Sequence, residues 1–456
     1  MSFINSKNDC GSGTRRSIAL VDCNNFFASC ERVFRPDLRE KAVVVLSNND
    51  GNVIARSNEA KALGIGMGEP YFKVARFLRQ HDVQVFSSNY TLYGDMSQRV
   101  MNVLQQLEPE VEIYSIDEAF LSLAAGKNLN LVAHGHYLKD VVRQYTAIPV
   151  SIGFAPTKTL AKIAARIAKK NPRCNGVFDL TTRIDIDAIL DRIEVDAVWG
   201  IGPRYAKKLE RHGIATARHL KYANDTWIRK HLTVTGLRTV WELRAIPCIP
   251  LEEAPPPKKG ITTSKSFGRP VTSLVELQEA VSTYVARAAE KMRSQRSLAN
   301  SLHVFLTTNR FKPERPQYAN SIMITLPEPT ASTPVLIRHA LQGLRTIYKP
   351  GYAFQKAGVT LTEIMPESRQ QGNLFAQGSD DKNLMNALDR INARWGRDTV
   401  HYAVSGFKKP WTFKRGYLSP AYTTRWDQLP VVKASFPDCP CPTGPADPLS
   451  TTSRVA

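Results

Sequence analysis

The stretch VEIYSIDEAFLSL, residues 111–123, constrains the fold of this chain more than any other. Val111, Ile113, Tyr114 and Ile116 lead into it and Phe120, Leu121 and Leu123 lead out, mostly residue types that favour strands. Asp117 and Glu118 interrupt the run side by side. Burying a carboxylate is costly unless positive charge meets it, and one continuous strand would send the two acids to opposite faces. The run is therefore expected to form two strands with the acids near the bend between them, leaving the sheet edge on one side. That geometry suits a metal ion.

Asp22 is the natural companion. It ends an apolar strand, Ile18 to Val21, and is followed by CNNFF. Alone, such an acid could equally cap a helix or sit in a surface turn. Together with Asp117 and Glu118 it supplies three hard oxygen ligands from two strands. Such a set can hold two Mg²⁺ ions about 4 Å apart, which clamp the attacking and leaving oxygens of a displacement at phosphorus.

Charge points the same way. Lys and Arg number 61 against 41 Asp and Glu, a formal charge of +20, which favours a polyanionic partner, most often nucleic acid. No apolar run approaches the roughly 20 residues of a membrane helix, so no membrane role is expected. The leader, residues 1–16, lacks the hydrophobic centre of a secretion signal. Seven cysteines without paired spacing suit a reduced, cytoplasmic setting. Cys439 and Cys441 have no neighbouring Cys/His pair to complete a zinc site.

At 456 residues the chain is too long for one core, so two to four domains are expected. Residues 17 to about 185 alternate strands and helices, including Val150 to Phe154 and a helix stopped by Pro172. A basic helical stretch follows, then EEAPPPKKG as an extended hinge. Beyond it come strand Ile261–Val271, helix Val275–Arg293, strands Ser301–Thr307 and Ser321–Leu326, helix Pro334–Tyr348 and strand Ala357–Ile364. That is the β-α-β-β-α-β order of a split α+β domain.

The segments ALVDCNNFFASCE, KAVVVLSNNDGNVIARSNEAKALGI, EIYSIDEAF and SIGFAPTKTLAKIAARIAKK, in this order, resemble the catalytic core of Y-family translesion DNA polymerases, UmuC type, over about Ser17 to Leu429. The resemblance implies an α/β and α+β multidomain fold shaped as a right hand. Its parts would be a palm (17–185) with fingers inserted at about 40–95, a small helical thumb with a helix-hairpin-helix (186–252), a linker (253–260) and a β-α-β-β-α-β little finger (261–366). A clamp-binding linker (367–380), a small C-terminal region (381–430) and a disordered tail (431–456) would follow.

It also implies roles. Asp22 and Asp117 would ligate two Mg²⁺ ions, helped by the Cys23 carbonyl, and Glu118 would complete the site beside the primer 3′-hydroxyl. Phe27, next to Phe26, falls where the family keeps an aromatic gate against the ribose 2′-hydroxyl. Lys61 and Lys169 would reach the dNTP triphosphate, with Asn58 nearby; the chain reads Asn58-Glu59-Ala60-Lys61 where relatives often have Tyr-Glu-Ala-Arg. Gly200 and Gly202 would approach a phosphate at the start of a basic thumb helix.

Residues 258–315 hold eleven Lys/Arg and four Glu, and Lys265 and Arg269 would lie on one strand face against primer-template DNA. RQQGNLFAQG carries Gln371, Leu374 and Phe375, a Q-x-x-L-F pattern for docking on the sliding clamp. Implied partners are a UmuD-type accessory dimer, RecA and the clamp. The implied activity is low-fidelity translesion synthesis in the SOS response, in a bacterial cytoplasm and at the nucleoid. Two rival readings are a non-catalytic clamp-docking DNA adaptor and a related palm enzyme such as a nucleotidyl cyclase; the intact acids oppose the first, the hairpin thumb and DNA-facing domain the second.

Overall fold

The computed structural model describes residues 16–124, 130–252, 254–371 and 382–431. It starts with strand β1 (Arg16–Cys23), helix α1 (Phe26–Phe34), strands β2 (Val43–Leu46) and β3 (Val53–Arg56), helices α2 (Asn58–Ala62) and α3 (Tyr71–Gln80), strand β4 (Gln84–Ser87) and helix α4 (Tyr90–Leu107). The apolar run then divides into an antiparallel pair, β5 (Val111–Ile113) and β6 (Glu118–Ala124). Helix α5 (Leu131–Thr146), strand β7 (Val150–Ala155), helix α6 (Lys158–Lys170) and strand β8 (Val177–Asp179) follow.

Five of these strands form one sheet in the order β5-β6-β1-β7-β8, with β1 antiparallel to both neighbours. Alternation along β1 sends Ala19, Val21 and Cys23 into the apolar cluster of Leu92, Met96, Val100 and Leu138. Leu20 goes the other way, into the cluster holding Leu160, Ala161 and Ala164 of α6. Both faces are thus covered, and β7 is buried along its whole length. Helix α6 can lie so close to β7 because residue 153 is glycine: a Cβ there would stand 2.0 Å from the Ala165 amide nitrogen.

A smaller sheet, β3-β2-β4, is built from the chain between α1 and α4 around Val44, Leu46, Val53, Leu78 and Val83. Its SNNDG turn puts Asn49 and Asp50 in left-handed backbone, φ 63° and 49°, which these residue types tolerate.

Helices α7 (Ile186–Asp191), α8 (Pro203–Glu210), α9 (Ala217–Lys221) and α10 (Asp225–Leu243) come next. They share the apolar cluster on the α6 side of the large sheet instead of closing a core of their own. Buried Glu242 fastens the chain beyond α10 by accepting the amides of Thr159, Cys248 and Ile249 at 3.0, 2.8 and 3.1 Å.

Strand β9 (Ile261–Val271), helix α11 (Leu274–Ser294), strands β10 (Ser297–Thr308) and β11 (Ala319–Thr330), helix α12 (Thr333–Ile347) and strand β12 (Phe354–Pro366) realise the order read from the sequence, with β10, β11 and β12 longer. They form an antiparallel sheet, β11-β10-β12-β9, whose core side is packed by α11 and α12. By alternation the opposite face presents Thr262, His303, Phe305, Lys356 and Thr360. Among the described residues no helix is long and apolar enough to cross a membrane.

The C-terminal part is bound to the rest of the molecule throughout. The small C-terminal region expected at 381–430 runs across the other units as a strap. Helix α13 (Lys382–Trp395) is pinned by Arg293, whose guanidinium forks onto Asp389 at 2.7 and 2.8 Å. Trp411 is buried in the core of the four-stranded sheet, and its carbonyl accepts from Gly268. Lys414 and Gly416 donate backbone amides to Asn49 and Asp50 at 2.9 and 2.7 Å, and the Ser87 amide donates to the Tyr417 carbonyl at 2.9 Å. Tyr422 then stacks on Phe34, centroids 4.7 Å apart. Large side chains along this segment each fill a pocket in a different unit, so they tie the units together.

Candidate active site

The three acids meet at one end of the large sheet. Asp22 lies opposite Glu118 in the β1–β6 register, and the Cys23 amide donates to the Asp117 carbonyl at 2.8 Å. Alternation turns Asp22 and Glu118 towards α6, where lysines wait for them. Lys169 Nζ stands 2.7 Å from Asp22 Oδ1, and Lys162 Nζ stands 2.9 Å from Glu118 Oε2. Asp117 instead accepts the Ser115 hydroxyl at 2.7 Å and lines a cavity with Cys23, Phe26 and Phe27.

Each of the three carboxylates at this sheet end is thus held on its own donor. Among the described residues no three His, Cys, Asp or Glu side chains are placed to hold a metal ion. The reason is electrostatic: like charges at one sheet end separate, and each takes its own donor. The two ammonium groups stand where positive charge is demanded, and the hard carboxylate oxygens they hold are the donor set that a Mg²⁺-like cation prefers. Burial, then the nearby Asp117, Asp22 and Glu118, push the Cys23 thiol well above its usual range.

The adjoining cavity, about 220 Å³, is lined by Asn25, Phe27, Arg56, Lys61, Asp117 and Lys169 among others. Burial, then the charges of Lys169 and Arg56, hold the Lys61 amine below its usual range. Three cations crowding one opening is a favourable setting for a polyanion such as a triphosphate. Lys61 rests on Asn25 Oδ1 at 2.5 Å, and Asn25 Nδ2 donates to Asn58 Oδ1 at 2.9 Å, so Asn58 belongs to this wall.

The structure thus brings together Asp22, Cys23, Phe26, Phe27, Asn58, Lys61, Asp117, Glu118 and Lys169. The sequence reading missed Asn25, Arg56 and Lys162. A signal for Lys162 was present: Lys158, Lys162 and Lys169 are spaced at four and seven residues, one stripe of a helix. Lys158 pairs with buried Glu112, and Lys162 also lies 4.4 Å over the Tyr114 ring.

Gly200 has φ 87°, and Gly202 opens α8 just before Pro203. The neighbouring Trp199 packs edge-on to Tyr114, 5.6 Å away, which sets this turn beside the acid-bearing hairpin. Lys265 and Arg269 do not form the common basic strip expected of them. Lys265 lies 4.9 Å over the Phe413 ring of the strap, and Arg269 pairs with Glu276 at 2.6 Å. The β9–β12 register breaks between Ser266 and Val271, so the strict alternation behind that expectation is lost. Gln371 is exposed, while Leu374 and Phe375 lie outside the described residues.

Comparison with known proteins adds the family context. Residues 21–166 match the impB/mucB/samB family, residues 258–374 its C-terminal domain, and residues 382–432 a domain of unknown function. Protein UmuC of Salmonella typhimurium is 46% identical over 91% of this chain and 100% of its own length. Protein MucB of Escherichia coli is 40% identical over 91% and 99%, and DNA polymerase IV of Moorella thermoacetica 29% identical over 85% and 96%. Among solved structures, a chimaeric Y-family DNA polymerase built from Dbh and Dpo4 shares the fold with TM-score 0.62 at 22% identity, covering 77% of this chain and 99% of that one. A Dbh ternary complex does so with TM-score 0.53 at 22% identity and the same coverage.

Proposed function

The chain belongs to the impB/mucB/samB family of UmuC-type proteins, and from that membership we propose that it is a template-directed, low-fidelity DNA polymerase that extends primers past damaged bases in the SOS response. The observation that carries this reading is the sheet end itself, where Asp22 faces Glu118 beside Asp117 and next to the cavity of Arg56, Lys61 and Lys169. The large sheet is the palm, β2 to β4 with α2 and α3 the fingers, α7 to α10 the thumb and the four-stranded sheet the little finger.

In the reaction the primer 3′-hydroxyl oxygen bonds to the α-phosphorus of a dNTP, the bond to pyrophosphate breaks, and the hydroxyl proton leaves to solvent. Asp22, Asp117, Glu118 and the Cys23 carbonyl would hold two Mg²⁺ ions, which would supply activation of the hydroxyl and neutralisation of the leaving group. Lys61, Lys169 and Arg56 bind the triphosphate once Lys169 releases Asp22. Phe27 closes the sugar end of the cavity. Replacing Phe27 by Ala is expected to let ribonucleotides in, read as a fall in the ratio of dNTP to rNTP insertion efficiency by about 100-fold or more. Unchanged sugar selection would remove that role.

Primer-template DNA is held by its backbone, without reading sequence, along the turn at Gly200 and Gly202 and the helix-free face of the little finger. A UmuD-type dimer and RecA are the accessory partners, and Gln371, Leu374 and Phe375 dock on the sliding clamp. Changing Leu374 and Phe375 together to Ala should weaken clamp association at least about tenfold in a pull-down titration; equal affinity would discard the motif. Extension of a primer past an abasic site, by the purified protein with its accessory partners, tests the whole reading. Inert protein under those conditions would leave only a DNA-binding adaptor.

A further inference from the structure

Phe27 and Glu31 lie one turn apart on α1 and so share a helix face. Tyr93, in the first turn of α4, serves both of them. Its ring stacks on Phe27, centroids 4.5 Å apart and 15° from parallel, and its hydroxyl donates to Glu31 Oε1 at 2.6 Å. Tyr90 meets Phe27 edge-on at 5.9 Å and lies 6.2 Å from the Tyr93 ring. The result is a closed loop from the α1 backbone through one ring, a second ring and a carboxylate back to α1. A tilt of the Phe27 ring towards Tyr93 would break it.

The loop reaches into the strap. Ser419 Oγ donates to the same Glu31 oxygen at 3.1 Å, and Asn89, which caps α4, donates to Ser419 Oγ at 3.1 Å. Glu31 and Tyr93 are wholly buried, and Glu31 Oε2 has no hydrogen-bond partner. Burial pushes the Glu31 carboxyl up to about 7 against the pull of its two hydroxyl donors. An acid kept in so unfavourable a place, where an apolar side chain would pack at lower cost, calls for a role in holding something still.

We propose that Glu31 and Tyr93 are positioning residues for Phe27 and that Ser419 completes them, so that the C-terminal strap helps set how strictly the site excludes a ribose 2′-hydroxyl. The proposal rests on Phe27 being the sugar gate. It gives the 382–432 segment a part in substrate selection as well as in joining the little finger to the fingers.

The test is single-nucleotide insertion with matched dNTP and rNTP by the full-length protein and its accessory partners. Glu31→Leu should lower the dNTP/rNTP ratio of kcat/KM about tenfold, through a lower KM for the ribonucleotide, with dNTP insertion nearly unchanged. Glu31→Gln should keep the wild-type ratio, because its amide oxygen accepts both hydroxyls and its amide nitrogen replaces the unpartnered oxygen. Ser419→Ala should move the ratio in the same direction as Glu31→Leu, by less. Tyr93→Phe, which keeps the ring and removes only the hydroxyl, gives the same readout if Glu31→Leu does not fold. Loss of dNTP and rNTP insertion in equal measure, or an unmoved ratio in Glu31→Leu or Tyr93→Phe while Phe27→Ala relaxes selection, would overturn the positioning role and leave the gate standing. An unmoved ratio in Phe27→Ala would overturn the gate and this proposal with it.

Discussion

Asp117→Asn is expected to abolish primer extension, by on the order of 10³-fold or more, while DNA binding survives. Asparagine keeps the shape, and the Cys23 amide bond goes to the Asp117 carbonyl of the backbone, so the hairpin stays in place. What is lost is one negative charge and a hard oxygen at the spot where divalent cations are to be held. DNA affinity comes instead from cationic side chains against phosphate, and its salt dependence should match that of the wild type. Extension assays beside a salt titration of DNA binding separate the two effects. Synthesis retained by Asp117→Asn would contradict the metal role of this end of the sheet.

Gly153→Ala should be the most damaging small substitution away from the chemistry. The added methyl would meet Ala165 N, Ala164 C and Ala161 O at 2.0, 2.5 and 2.7 Å, all backbone atoms of α6. No rotamer change relieves such contacts, so the helix must lift. Overpacking of this kind costs about 3 kcal/mol or more, a large share of the usual total stability. Because α6 also carries Lys158, Lys162 and Lys169, lifting it would pull the lysines away from Glu112, Glu118 and Asp22. A lowered urea midpoint together with reduced extension by the folded fraction is the expected result. A midpoint equal to the wild type would mean that the helix does not need this close approach.

Much of the site was legible because it rests on short-range rules. Two acids in an apolar run are intolerable within one strand, so the hairpin at Asp117 and Glu118 follows from residues 111–123 alone. The β-α-β-β-α-β order of 261–366 is likewise a matter of local periodicity. Lys162 was within reach of the same reasoning, through its spacing from Lys158 and Lys169. Arg269 parted from Lys265 because alternation holds only where the register does, and it fails beyond Ser266, whereas Lys265 stays in register opposite Ala357.

The motif VVVLSNNDG illustrates the other kind of information. Its letters predict a turn, and a turn is present. That Asn49 accepts from Lys414 and Asp50 from Gly416, more than 360 residues onward, could not be read from any window of sequence. The same holds for Ser419 on Glu31 and for Tyr422 on Phe34. Periodicity and the cost of buried charge, acting between neighbours in the chain, determined which segments become strands and helices and where the acids must emerge. Which lysine answers which acid, where the strap runs and what backs the Phe27 ring were decided by packing between distant segments, since these contacts exist only once the units have been brought together.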